Sequence, residues 1–308
     1  MYHAQFVSRL LQGESVGLFS PSEPLTNERI IRMRSSLEIL ESNYNVIWGS
    51  NALKNDFYQA GTKEERINDI IELISNKNIK AMLATWGGKN GNQLINQLPY
   101  EQFRERRIPI IGFSDTCVLL NPISVYSDII TFYGPNIAGK LIESSHADMS
   151  DLRNGFYAPF GETASQYWTT ITSGQVEGVL YGGNLSTFTI ALSGTECLKR
   201  MKNVIFFWES ASDPPQIIDQ YLSGLENAGF FKEVKGMIVG KVLYEECERK
   251  NRPLNDLLYE YGKKMNIPIV KIDTFGHCKT ENPMIPIGAS VSLNTYTQTI
   301  VLKHPVVI

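Results

Sequence analysis

The sequence predicts an α/β fold with a mainly parallel sheet. Two observations carry that expectation. Short apolar runs alternate with amphipathic stretches along the first part of the chain, and most runs end at a Gly, Pro or Asn turn signal. Strands that alternate with helices need crossover connections, which lay helices over both faces of a parallel sheet.

Taken in order, Val16–Ser20 reads as a buried strand closed by the turn Pro21-Ser22-Glu23-Pro24. Thr26 is placed to cap a helix whose apolar stripe is Ile30, Met33, Leu37 and Leu40. Tyr44–Trp48 is a second strand. Thr62-Lys63-Glu64-Glu65 is a capping-box pattern ahead of Ile67, Ile70, Ile71 and Ile74. Ala81–Thr85 is a third strand and Pro109–Gly112 opens a fourth element. The pattern divides the chain into an N-terminal α/β domain over 1–141, a polar, turn-rich linker over 142–174, and a C-terminal domain over 175–308. In the last of these, apolar runs at Gly178–Tyr181, Val204–Trp208, Met237–Val242 and Pro268–Ile272 are separated by helical stretches near 184–193, 214–228 and 253–264. Ala289–Asn294 and Gln298–Leu302 alternate around a turn and read as a hairpin.

Bulk properties narrow the function classes. With 308 residues, 43% hydrophobic and 20% charged, the chain has ample material for a core and is not of a disordered composition. A net charge of -3, with Arg104, Arg106 and Arg107 interrupted by Glu105 at a solvated helix end, gives no phosphate-tracking stripe, so no nucleic-acid partner is expected. The opening segment lacks the apolar core of a signal peptide, and no run approaches the roughly 20 apolar residues of a membrane span. Cys117, Cys197, Cys247 and Cys278 are scattered without a CxxC pair, which argues against a disulfide framework or a zinc site and suits a reducing cytoplasm.

Four segments hold groups capable of chemistry. In Gly112-Phe113-Ser114-Asp115 an apolar strand runs into a serine at a tight strand-to-helix turn. There the hydroxyl projects above the sheet edge, and helix-start N–H groups face the same space. The pattern lacks the second glycine of G-x-S-x-G, and a serine that merely caps a helix is the competing reading. Thr85-Trp86-Gly87-Gly88-Lys89-Asn90 allows close backbone approach but fits no phosphate-binding glycine motif, so no nucleotide cofactor is implied. Glu209 closes the apolar run Val204–Trp208 at a strand end; it either orients a histidine or is an exposed strand-end acid. Of the four histidines, His3 and His304 lie near the termini and His146 in the polar linker. His277 follows a strand and Gly276, a suitable place for a general base or for a structural imidazole. Together these segments supply nucleophile, acid and base in the order Ser, Glu, His.

At these segments, and nearly end to end, the sequence resembles the serine LD-carboxypeptidase family, which includes the murein tetrapeptide carboxypeptidases and the microcin C immunity peptidases. The resemblance rests on the opening Val16–Pro24, on Ala60-Gly61-Thr62 with Glu65-Arg66 and Asp69, on Gly87-Gly88 and on Gly112-Phe113-Ser114-Asp115. Gly134-Pro135, Gly182-Gly183-Asn184-Leu185, Glu209 and Gly276-His277 continue it. It implies an N-terminal parallel-sheet domain and a C-terminal mixed α/β domain with the active site between them. It also implies a triad of Ser114, Glu209 and His277, an oxyanion hole from the N–H groups of Gly88 and Asp115, no metal or cofactor, and a homodimer. Gly87, Lys89, Asn90 and Trp168 are the substrate-contact candidates, Trp168 as a stacking ring or as core beneath the linker. The implied substrate is a small peptide, a murein tetrapeptide losing its terminal D-amino acid. A peptidyl or aminoacyl nucleotide cleaved at its amide is the second reading, and an inactive ligand-binding homologue the third. The segment after Glu209, Ser210-Ala211-Ser212-Asp213-Pro214-Pro215, departs from both enzymatic branches.

Overall fold

The computed structural model describes residues 4–139, 149–154, 159–161, 164–243, 252–277 and 282–308. His146, Cys247 and Cys278 lie outside them, as does part of the expected linker.

The first half forms β1 (Ser15–Phe19), α1 (Asn27–Asn43), β2 (Asn45–Trp48), α2 (Lys63–Ser75) and β3 (Ile79–Ala84). It continues through α3 (Tyr100–Arg106), β4 (Ile110–Gly112), α4 (Cys117–Ser127) and β5 (Thr131–Tyr133). Both expected caps are present. Thr26 accepts from the Arg29 N–H, and Thr62 and Glu65 form the reciprocal capping box that satisfies two donors at the start of α2. The basic cluster Arg104, Arg106 and Arg107 is the end of α3, where Arg107 takes a left-handed conformation and stops the helix.

The second half contributes α5 (Ser150–Asn154), β6 (Trp168–Thr172), β7 (Gln175–Asn184), α6 (Leu185–Leu192), α7 (Glu196–Arg200), β8 (Val204–Ser210) and α8 (Pro215–Asn227). Then come β9 (Val234–Val242), α9 (Leu254–Met265), β10 (Ile269–Ile272), β11 (Ile285–Ile287), β12 (Ser290–Asn294) and β13 (Thr299–Leu302). Two sheets result, in the orders β11-β5-β4-β3-β1-β2 and β13-β12-β7-β8-β9-β10-β6. In the first, β1 to β5 are mutually parallel, as the alternation predicts, and β11 adds an antiparallel edge. The second has four parallel strands at its centre, with antiparallel β12 and β6 on either side and β13 beyond β12. This is the parallel-plus-mixed α/β architecture that was expected.

Three strands fall where the sequence pattern gave no sign of them: β5, a buried strand of three residues, β6 and β11. β6 lies in the stretch read as linker, and its alternation is broken by a register shift against β10 that skips Ile171. β11, only Ile-Pro-Ile, joins the first sheet although its neighbours in sequence belong to the second. A three-residue strand carries no periodicity, and its Pro286 is tolerated because the strand lies at a sheet edge.

One helix fastens the two sheets together. Ten of the eleven residues of α4 are buried, which explains the apolar stretch Cys117–Leu120 at its start. Asn121 on α4 donates to the Gly182 carbonyl, and its own side-chain oxygen accepts from the Gly182 N–H, both on β7 of the other sheet. Gly182 has φ +148°, and a Cβ there would stand 1.7 Å from the Phe207 carbonyl oxygen, so no other residue fits.

Candidate active site

Every group of interest lies at or just past the carboxyl end of a parallel strand, the region where open α/β sheets place ligands. Ser114 follows β4, Gly87 and Gly88 follow β3, Tyr133 ends β5, Asn184 ends β7, Glu209 is next to last in β8, and His277 follows β10. The two sheets turn these ends toward one another.

Ser114 has φ +58°, a left-handed conformation that a non-glycine residue adopts only where its surroundings impose it. Those surroundings are specific. The Phe113 N–H donates to Asn136 Oδ1 at 2.9 Å and the Ser114 N–H to the Tyr133 hydroxyl at 3.2 Å. The serine therefore sits in a constrained elbow and is not a simple helix cap. His277 Nε2 lies 3.0 Å from Ser114 Oγ, and its Nδ1 lies 2.7 Å from Glu209 Oε2. An ionised carboxylate only accepts, so the second contact fixes Nδ1 as the protonated nitrogen and leaves Nε2 of the neutral ring to accept the serine proton. Phe113 packs against the imidazole with ring centroids 4.9 Å apart.

Glu209 is fully buried, not the exposed strand-end acid that was the alternative. Three donors hold it: His277 Nδ1 on Oε2, and the Tyr133 hydroxyl at 2.8 Å and Asn184 Nδ2 at 3.1 Å on Oε1. A buried carboxylate is tolerated when its lone pairs are satisfied in this way. Burial and the adjacent Glu209 charge push the Tyr133 phenol well above its ordinary range, so it remains a neutral donor.

The glycine loop abuts the elbow. A Cβ on Gly87 would stand 2.9 Å from Ser114 Cβ and 3.3 Å from the Asp115 nitrogen. Gly88 has φ +108°, and a Cβ there would press into Glu23. Among the described residues no acceptor takes the N–H of Gly88 or of Asp115. The loop is held from behind by Arg66, which is buried and donates to the carbonyls of Pro21 and Asn90 and to Gln93 Oε1. The Asp115 side chain points away from the serine, accepting from Ser22 at 2.6 Å and the Gly91 N–H at 2.8 Å. Its burial raises this carboxyl above the ordinary aspartate value.

Ser114, His277, Gly87 and Gly88 line a cavity of about 190 Å³ together with Arg32, Trp86, Phe113, Asn136 and Gly139. Lys89 and Asn90 are on the same loop but not in that lining; Asn90 is a left-handed turn residue whose carbonyl receives Arg66. Trp168 is on the edge strand β6, where its indole N–H donates to Thr170, and it does not line the cavity either. A larger cavity of about 510 Å³, bordered by Val179, Arg200, Lys202 and Lys303, holds none of the groups described above. Tyr133, Asn136 and Arg32 were missed in the sequence. Tyr133 and Asn136 flank Gly134-Pro135, a strand-ending signal that could have drawn attention to them. Among the described residues no three His, Cys, Asp or Glu side chains cluster to hold a metal ion, and no helix is long and apolar enough to cross a membrane.

A serine, an imidazole and a buried carboxylate in series, on an α/β scaffold, form the constellation of a serine hydrolase. Comparison with known proteins agrees. Residues 16–134 match the LD-carboxypeptidase N-terminal domain and residues 177–293 the LD-carboxypeptidase C-terminal domain. The chain belongs to the LD-carboxypeptidase family and is a serine peptidase. It is 28% identical to the Microcin C7 self-immunity protein MccF of Escherichia coli, covering 95% of this chain and 94% of that one. It is 27% identical to a probable murein peptide carboxypeptidase of Bacillus subtilis, covering 96% and 93%. A solved structure of MccF in complex with aspartyl sulfamoyl adenosine superposes with a TM-score of 0.82 at 25% identity, covering 99% of this chain and all of that one.

Proposed function

We propose that the protein is a carboxypeptidase that removes the terminal D-amino acid from murein tetrapeptides, with Ser114 as nucleophile. The observation that carries this reading is the unbroken relay from Ser114 Oγ through His277 to Glu209. As the Ser114 oxygen bonds to the scissile carbonyl carbon, its proton passes to His277 Nε2. Glu209 stabilises the imidazolium and stays ionised. The Gly88 and Asp115 N–H groups receive the oxyanion of the tetrahedral intermediate. The imidazolium then protonates the departing amine, leaving an acyl-enzyme on Ser114, which water cleaves by the same route in reverse. The family relationship supports a cytoplasmic homodimer, which light scattering and cell fractionation test.

A second reading, hydrolysis of the amide in aminoacyl or peptidyl nucleotides, draws support from the likeness to MccF and its aspartyl sulfamoyl adenosine complex. The intact relay weighs against an inactive binding homologue. Incubation of the pure protein with a murein tetrapeptide and with an aminoacyl sulfamoyl adenosine separates the first two. Release of D-alanine from the first, abolished at least about a thousandfold in Ser114→Ala and no further in the Ser114→Ala/His277→Ala double variant, is the expected result, since the members of a triad act as a unit. Residual turnover within tenfold of wild type in Ser114→Ala sinks the assignment.

A further inference from the structure

A carboxypeptidase must recognise a free carboxylate close to the bond it cuts, and a carboxylate that leaves water needs a cationic or multiply donating partner. The cavity that holds Ser114 and His277 has one cationic side chain in its described lining, Arg32. Its neighbour one turn earlier on α1, Arg29, is already engaged. The Arg29 guanidinium pairs with Glu23 at 2.7 Å, donates to the Pro24 carbonyl and stacks 4.5 Å from the centre of the Trp86 ring. Among the described residues Arg32 has no ion-pair, hydrogen-bond or ring partner, and it is exposed to solvent. Arg29 thus fixes the wall of the cavity, and Arg32 presents an uncommitted planar fork of donors at its mouth, the geometry suited to a carboxylate.

Building on the function proposed above, we infer that Arg32 is the specificity residue that receives the free carboxylate of the residue released. Lys89, the cation on the glycine loop, lies outside the cavity lining that holds Arg32.

The test uses two alanine-derived phosphonate esters that phosphonylate serine and differ only in ending in a carboxylate or a carboxamide. Labelling of Ser114 reads nucleophile and carboxylate recognition without requiring the natural substrate. The wild-type protein is expected to react about 10- to 100-fold faster with the carboxylate, the range for a hydrogen bond to a charged group. Arg32→Gln removes that preference by slowing the carboxylate probe alone, and Arg32→Lys restores part of it. An exposed residue with no partners is a safe site for substitution, and equal carboxamide rates in all three proteins confirm an intact elbow. A preference that survives in Arg32→Gln, or no preference in the wild type, overturns the inference while leaving Ser114 as nucleophile. Failure of both probes to label Ser114 overturns the hydrolase reading and this one with it. In a second arm, tetrapeptide and aminoacyl sulfamoyl adenosine are assayed with Arg32→Gln; loss confined to the nucleotide also overturns the carboxylate assignment.

Discussion

At the scale of single residues, the carboxylate at the heart of the site depends on buried partners that each bridge two groups, so their removal has sharp consequences. Tyr133 is the clearest instance, because one hydroxyl accepts from the Ser114 N–H and donates to Glu209. Tyr133→Phe is expected to lower kcat about tenfold and to destabilise the fold by about 1–3 kcal/mol, the cost of stranding buried polar partners. Kinetics together with a urea denaturation series check it. Glu209→Gln keeps the volume but can no longer enforce the Nδ1–H tautomer. Activity is expected to fall by about 10²- to 10⁴-fold, with KM little changed. Asp115 bears on pH. Burial raises its carboxyl, as it does that of Asp69, so the folded chain holds these protons more tightly than the unfolded chain, whose aspartates titrate near the ordinary value of about 3.9. Stability from this source is therefore greatest at acid pH and declines as pH rises from about 3.9 through the raised native values. Asp115→Asn retains an acceptor for Ser22 and Gly91 without the charge, and its urea midpoint is expected to decline less over that interval; an unchanged slope contradicts the account.

At the scale of elements, the glycine loop and the serine elbow form one unit. Gly87 lies too close to Ser114 for any side chain, yet its φ is not in the left-handed region, so Gly87→Ala acts through contact and not through backbone strain. It is expected to shift the elbow by a few tenths of an ångström and to cost at least about tenfold in kcat with the fold preserved, because small displacements from an attack geometry are expensive. Circular dichroism alongside kinetics distinguishes this from unfolding. These glycines, the elbow, Glu209 and His277 were all legible as motifs, because each sits at a strand end announced by an apolar run. Tyr133, Asn136 and Arg66 were not legible as functional supports. They act by reaching from one loop to another, a relation that no local spacing records.

At the scale of the whole molecule, the two sheets share one continuous apolar core, with α4 between them and β11 returning to the first sheet from the middle of the second half. They are therefore expected to unfold together. Trp48 and Trp86 report on the first sheet and Trp168 and Trp208 on the second, so single-tryptophan variants should give coincident denaturation midpoints; two separated transitions would show independent domains. The sequence by itself determined the fold class, most of the strands and helices, both helix caps, and which serine, glutamate and histidine were worth watching, since periodicity, capping and turn chemistry are local properties of the chain. The tertiary structure alone decided that residues 114, 209 and 277 meet within hydrogen-bonding reach, that Tyr133 and Asn184 hold the carboxylate, that β11 crosses to the other sheet, and that Arg32 rather than Lys89 faces the cavity. Those are contacts between segments far apart in the chain, and only packing brings them together.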